Sequence, residues 1–175
     1  KMRKASEIAE NALLSTLRTI RVGQTEKEIT SALLVQLYRH GSDSELPFAP
    51  IVASGPNSAN PHASPSDRQL EAGDVLLFDW GAGYEGYYSD INRCFFVEHE
   101  DQRMLEIAET VQRANQSAVA VGKAGMTAGQ VDEAARDKIE EAGLGAYFTH
   151  RTGHGLGMEA HEAPYIFSGN DQVLK

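Results

Sequence analysis

The strongest constraint on how this chain can fold is that it nearly repeats itself. Gly23-x-Thr25 returns as Gly125-x-Thr127 and Gly41 returns as Gly143, each 102 residues on. Glu7-Ile-Ala-Glu10 returns as Glu106-Ile-Ala-Glu109, 99 residues on, so the second copy carries three extra residues. In the first copy, Ile8, Ala12, Leu13, Leu17 and Ile20 recur at helical spacing and predict a helix over 5–21. Thr25 with Glu28 forms the sequence of a capping box, and the helix it opens runs over Ile29, Leu33, Leu34 and Leu37 to His40-Gly41. The second copy predicts helices over 101–121 and 128–142. Each copy therefore reads helix, Gly-x-Thr, helix, Gly, strand. Two such halves predict an α+β fold with pseudo-twofold symmetry, a curved and mostly antiparallel sheet covered by helices, and a site where the halves meet.

At 175 residues, one domain is expected. With 41% apolar and 23% charged residues the chain reads as globular. A net charge of −9 argues against a nucleic-acid groove or an anionic membrane surface as partner. Cys94 is the single cysteine, which excludes an intrachain disulfide and a cysteine zinc cluster, and points to a reduced, cytoplasmic setting. No apolar run approaches the roughly 20 residues of a membrane span. Lys1-Met-Arg-Lys opens directly into a helical pattern, so no signal peptide is expected.

Residues 48–62 read as a strand followed by a Gly/Pro/Asn/Ser loop that carries His62. Residues 75–97 read as a hairpin with Asp79 and Asp90 on its two strands. Folded symmetrically about Tyr84-Glu85, the hairpin sets Asp79 opposite Asp90 on one face. Aspartate is depleted in strands, and like charges facing each other about 5 Å apart are destabilising. Either a divalent cation between them resolves the repulsion, or both sit at strand ends facing solvent with Arg93 or a lysine nearby. The segment 147–168 is extended and rich in histidine and glycine. Gly153, Gly155 and Gly157 flank His154, allowing close approach of the backbone to a bound species. One imidazole and two carboxylates make a reasonable N/O set for Mn²⁺, Fe²⁺, Co²⁺ or Zn²⁺. His161 lies seven residues on; along a continuous strand it points elsewhere, toward substrate rather than metal.

Together these residues resemble the metallopeptidase family with the pita-bread fold, to which methionine aminopeptidase, aminopeptidase P, prolidase and creatinase belong. Asp79 and Asp90 stand in an Asp-x-Gly-x4-Gly-Tyr-x-Ser-Asp arrangement, and the stretch from Phe148 to Tyr165 is similar to the family's Gly-His-Gly-x-Gly-x3-His-Glu-x-Pro signature. Glu162-Ala-Pro-Tyr165, the context of Arg151 and the opening Met2-Arg-Lys-Ala-Ser-Glu-Ile look most like the proline-specific branch. The resemblance implies that Asp79 ligates one metal, Asp90 bridges two, and His154 binds the other. It implies substrate-site roles for His62 and His161, with Asn92, Arg93 and Thr152 as supports. The implied cofactors are two divalent ions, Mn²⁺ foremost. The implied reaction is hydrolysis of an N-terminal or dipeptide Xaa-Pro bond by a dinuclear-metal-bound hydroxide, with a short peptide as substrate. Homodimers are common in that branch.

The match departs from the family in two places. The family completes its site with two glutamates on later strands, which Glu159 and Glu162 do not match, and Asn92 stands where threonine is usual. Residues 1–175 are accordingly expected to be a catalytic domain incomplete at the C-terminus, without the N-terminal domain of longer relatives, and inactive as they stand. Two other readings compete. A creatinase-like hydrolase tends to lose the ligands kept here, and a non-catalytic pita-bread binding module predicts replaced ligands.

Overall fold

The computed structural model describes residues 1–175, which divide into two compact units, 1–100 with 156–160 and 101–155 with 161–175. The first unit contains α1 (Met2–Leu17), α2 (Glu26–Arg39), β1 (Ile51–Ser54), β2 (Val75–Trp80), β3 (Gly83–Tyr84), β4 (Tyr87–Tyr88) and β5 (Ile91–Phe96). Strands β1, β2 and β5 form an antiparallel sheet in that order, and β3 pairs with β4.

Sequence pattern explains most of this. Ala5, Ile8, Ala9, Ala12 and Leu13 form the buried stripe of α1. That helix stops at Leu17, short of the expected 21, and Ile20 reaches the core from outside it. The capping box at α2 is formed, with Glu28 N donating to Thr25 Oγ1 at 3.2 Å and Thr25 N donating to Glu28 Oε2 at 2.8 Å. Strand β2 alternates strictly, with Leu76, Phe78 and Trp80 buried and Val75, Leu77 and Asp79 half-buried on the opposite face. The Trp80 indole N–H donates to Ala9 O at 3.0 Å, so the sheet is hydrogen-bonded to α1 as well as packed on it. Phe78 meets Trp80 and Phe95 edge-on, at centroid distances of 6.3 and 5.9 Å. A phenylalanine side chain buried this way contributes about 1.5–3 kcal/mol.

The hairpin register differs from expectation by two residues. Asp79 faces Asn92, not Asp90, and Tyr84 faces Tyr87. The turn itself is the cause. Its central pair is Glu85-Gly86, with φ of 49° and 75°, and a two-residue loop with both φ values positive is the type I′ form that matches strand twist. Glycine at the second central position was the signal for this centre. A slip of two preserves parity within a continuous ladder, but the pairing ends at Trp80 with Ile91, so Asp90 lies just beyond the paired residues. Asp90 lies in a break between β4 and β5, where Ala82 N donates to the Ser89 hydroxyl oxygen at 2.9 Å in place of a carbonyl.

The second unit contains α3 (Gln102–Val121), α4 (Ala128–Glu141), β6 (Gly153–Gly155) and β7 (Glu162–Ile166), with β6 and β7 antiparallel. The repeat is structural as well as textual. Thr127 and Gln130 form a second capping box. Gly23 N donates to Leu70 O at 2.8 Å and Gly125 N to Leu174 O at 3.0 Å, while Leu70 N and Leu174 N return bonds to Gln24 O and Met126 O at 2.8 Å each. Both glycines sit at φ near +90°, a left-handed position that favours glycine. The interior of this unit is small: Ala114, Ala118, Val131, Ala135 and Ile139, with Phe148 and Ile166 packed against them.

The stretch 147–168 is a bulged hairpin, not one continuous strand. His154 pairs with Tyr165 and Gly155 with Glu162, the register shifting between them. At Gly155 a Cβ would lie 2.4 Å from Ala163 O, so only glycine allows this approach. No helix in the chain is long and apolar enough to cross a membrane.

Candidate functional site

In the first unit, the candidates lie on the sheet and on one loop. Asp79 is half-buried on β2, with Ile51 of β1 on one side and Asn92 of β5 on the other. Asp90, also half-buried, follows Ser89, whose side chain is fully buried by its bond to Ala82. His62 is exposed, just after the 3₁₀ turn Gly55–Ala59, with its backbone N–H on Asn60 Oδ1 at 2.9 Å.

The stem of the His62 loop is held by a side chain that sequence reading passed over. Glu26, 1% exposed, is the first residue of α2. Its Oε1 accepts from Ser54 N at 2.7 Å, Ser54 Oγ at 2.9 Å and Asn57 Nδ2 at 3.1 Å. Its Oε2 accepts from Ser66 N at 2.9 Å and Ser66 Oγ at 2.7 Å. Arg68 links the same Ser54 hydroxyl, at 2.7 Å, to Asp74, at 2.6 Å. Burial disfavours the charge on Glu26, but the donors from Ser66, Ser54 and Asn57 outweigh it and hold the carboxyl below its usual range. A glutamate opening a helix ordinarily reads as a solvated group facing the dipole, so nothing in the pattern marked it as buried.

In the second unit, His154 lies on β6 and His161 immediately before β7. Because the chain doubles back, their rings come together, with centroids 4.2 Å apart. The expectation that His161 points away from His154 is therefore corrected: it assumed a continuous strand. His154 Nδ1 lies 2.8 Å from Gly155 O. A carbonyl oxygen can only accept, so Nδ1 donates, which in a neutral imidazole leaves the lone pair on Nε2. This is the tautomer a metal-ligating histidine needs, oriented by a backbone carbonyl.

Thr152, expected as a support, bonds to a helix and not to a candidate ligand. Its hydroxyl donates to Asp132 Oδ1 at 2.6 Å and its N–H to the same oxygen at 3.2 Å. Asp132, fully buried on α4, also takes Arg136 Nε at 2.8 Å and Nη2 at 3.1 Å. Burial opposes its ionisation, yet Arg136 and Thr152 hold the carboxyl below its usual range. The i, i+4 spacing of Asp132 and Arg136 was visible in the sequence, although its burial was not. Arg93, the charged member of the candidate supports, is exposed and folds onto its neighbour's carbonyl, donating to Asn92 O at 2.7 Å.

Within neither unit do three or more His, Cys, Asp or Glu side chains gather closely enough to hold a metal by themselves. Taken by themselves, the half-buried carboxylates of the first unit are hard oxygen donors and His154 of the second is an imidazole donor, types that suit divalent ions of the Mn²⁺ to Zn²⁺ series.

Comparison with known proteins agrees with the fold and the motifs. The profile of metallopeptidase family M24 matches residues 1–175. The chain is 42% identical over 175 residues to the Xaa-Pro dipeptidase of Lactobacillus delbrueckii subsp. lactis, covering all of this chain and 48% of the relative. It is 40% identical over 172 residues to the Xaa-Pro dipeptidase of Pyrococcus furiosus, covering 98% of this chain and 49% of the relative. Among solved structures, the X-Pro aminopeptidase from Thermotoga maritima MSB8 superimposes with a TM-score of 0.96 at 41% identity, over 99% of this chain and 49% of that one. The prolidase from Pyrococcus furiosus gives 0.95 at 40% identity, over 99% and 51%. The chain thus spans about half the length of the relatives it matches. The α+β architecture is that of the pita-bread prolidases, and the chain belongs to metallopeptidase family M24.

Proposed function

We propose that residues 1–175 are the part of a metal-dependent Xaa-Pro hydrolase that supplies Asp79, Asp90 and His154 as metal ligands and His62 and His161 to the substrate site. The observation that carries this reading is identity of 40–42% to two Xaa-Pro dipeptidases over essentially the whole chain. The His154 tautomer supports it independently, since Nδ1–H on Gly155 O leaves Nε2 as the ligating atom. When bound, a pair of divalent ions supplies Lewis acidity and lowers the pKa of water. Asp79 and Asp90 supply the negative charge that such ions neutralise. His161, its ring tilted against that of His154, would exchange a proton with the substrate through its imidazole. His62 would meet the substrate from the loop whose stem Glu26 fixes. Mn²⁺ is the proposed physiological ion, and a cytoplasmic setting fits the single thiol. Intact Asp79, Asp90 and His154 disfavour both the creatinase-like and the non-catalytic readings.

The remaining ligands in this reading are two glutamates that residues 1–175 do not supply, so metal binding by these residues alone is weak and Xaa-Pro turnover is absent. Calorimetric titration with Mn²⁺ tests the ligand assignment: Asp79→Asn and His154→Ala should each abolish the residual binding heat. A chimera carrying the matching C-terminal half of the Pyrococcus furiosus relative should cleave an Xaa-Pro dipeptide and leave an Xaa-Ala dipeptide intact. Unchanged binding in both substitutions, or normal turnover by residues 1–175 alone, would refute the assignment.

A further inference from the structure

Asp132, fully buried, forms an ion pair with the partly exposed Arg136 that contacts no candidate ligand, and stability alone is a poor reason to keep it. Desolvating two charges offsets most of their attraction, and apolar residues of similar volume often serve as well. The geometry gives another reason. One guanidinium not only binds Asp132 but donates to Phe148 O at 2.9 Å and His150 O at 3.2 Å, and lies over the Phe148 ring at 4.4 Å. Asp132 in turn holds Thr152 through its hydroxyl at 2.6 Å and its N–H at 3.2 Å, that N–H being shared with Ile166 O at 2.9 Å. Three alternate residues, Phe148, His150 and Thr152, are thereby fixed to α4, and His154 is the next in that series. Its imidazole is aimed by the carbonyl of the adjacent residue, so the path of this backbone sets where Nε2 points.

We propose that Asp132 and Arg136 are positioning residues for His154: they hold the backbone before it in the path that selects the Nδ1–H tautomer and presents Nε2 to the metal. The inference rests on the proposed metal-ligand reading. Support of this kind characteristically changes metal affinity about 10–100-fold when removed. Glu26 provides an internal control. It makes the same pair of bonds to the N–H and hydroxyl of one residue, Ser54, in the other unit.

The test uses ¹⁵N-histidine spectra of the full chain, with and without Mn²⁺. In the wild type, His154 should show the Nδ1–H tautomer and be broadened selectively by Mn²⁺. Asp132→Asn, and the milder Thr152→Val that keeps volume and the N–H bond, should mix the tautomers and raise the Mn²⁺ concentration for half-broadening about tenfold or more. Glu26→Gln should leave the His154 tautomer unchanged even where it lowers the melting temperature. If Mn²⁺ does not broaden wild-type His154, the metal reading itself fails. If Mn²⁺ broadens it but Thr152→Val and Asp132→Asn change neither tautomer nor midpoint, the positioning role alone fails. An equal tautomer change in Glu26→Gln would also overturn it, because the effect would then be general loosening.

Discussion

Glu26 and Asp132 are both buried carboxylates on the second helix of their unit, and both clamp the N–H and hydroxyl of a Ser or Thr. They are satisfied differently. All hydrogen bonds to Glu26 come from neutral donors, and its place at the first residue of α2 adds the helix dipole. Asp132 instead sits inside α4 and is neutralised by Arg136, whose side chain remains 24% exposed. The interiors around them differ in the same sense. The first unit packs Trp80, Phe78, Leu33, Leu37 and Ile29 into one core, whereas alanines make up most of the second. Where aromatic and aliphatic mass is plentiful, a loop can be held by neutral hydrogen bonds. Where it is scarce, an ion pair tethers the segment that leads to the candidate ligand His154.

The largest effect should come from removing apolar mass. Phe78→Ala deletes a fully buried ring with two edge-on partners and should cost about 3–5 kcal/mol. Ile139→Ala, in the second unit, removes a residue that is 7% exposed and lies among small neighbours, and should cost nearer about 2 kcal/mol. Urea denaturation of both variants measures the difference. Equal losses would mean that the two interiors are equivalent despite their composition.

The carboxylates come next, and acid should reveal them. Both carboxyls are held below their ordinary values, about 4.3 for glutamate and 3.9 for aspartate. The unfolded chain therefore binds more protons in that range. Their stabilisation is complete above about pH 5 and is lost as pH falls through the ordinary values toward the lower folded ones. Glu26→Gln and Asp132→Asn should each cost about 1.5–3 kcal/mol at pH 7 and flatten the decline of stability between about pH 5 and 3. Salt sharpens the contrast. The Asp132 pair is an ion pair with a partly exposed partner and should weaken in 1 M NaCl, whereas the neutral-donor cage of Glu26 should not. Identical salt responses would erase the distinction between the two clamps.

Much of the architecture was legible because it depends on local rules. The repeat predicted both helix pairs; the capping box at Thr25 placed the start of α2, and the recurrence of Gly-x-Thr marked the start of α4 after Thr127. Asp79, Asp90 and His154 stood out as candidates because they stand in strand and glycine contexts that ask for a chemical reason, and the family resemblance supplied their proposed roles. The hairpin register was misjudged because two adjacent turn centres compete in Tyr84-Glu85-Gly86, and only the preference for positive φ at Gly86 decides between them. The neighbourhood of His161 was missed because a bulged reversal at Gly155 is a tertiary event. Glu26 and Asp132 were missed for a related reason. A charged residue on a helix looks the same in sequence whether water or protein donors surround it.

The smallest expected effect bears on whether the halves are alike at the level of single hydrogen bonds. Thr25 Oγ1 and Thr127 Oγ1 each accept from the N3 backbone, Glu28 N and Gln130 N, at 3.2 Å, and the reciprocal bonds to Thr25 N and Thr127 N are 2.8 and 2.9 Å. The two boxes differ in one respect. The first closes with a carboxylate and the second with an amide. Thr25→Ala and Thr127→Ala remove only the forward bond and should each cost about 1 kcal/mol. Glu28→Gln should cost a few tenths of that figure by removing favourable charge at the helix N-terminus, and Gln130→Glu should recover a similar amount in the other half. Thermal melts of the four variants at low ionic strength read these shifts. Matching losses for the two alanine variants, with opposite signs for the two charge swaps, would show that the repeat extends to the energetics of helix initiation. A loss at Thr25 several times that at Thr127 would instead show that the isolated bridges beside them, Thr25 to Gln69 and Thr127 to Val173, carry unequal shares of the load.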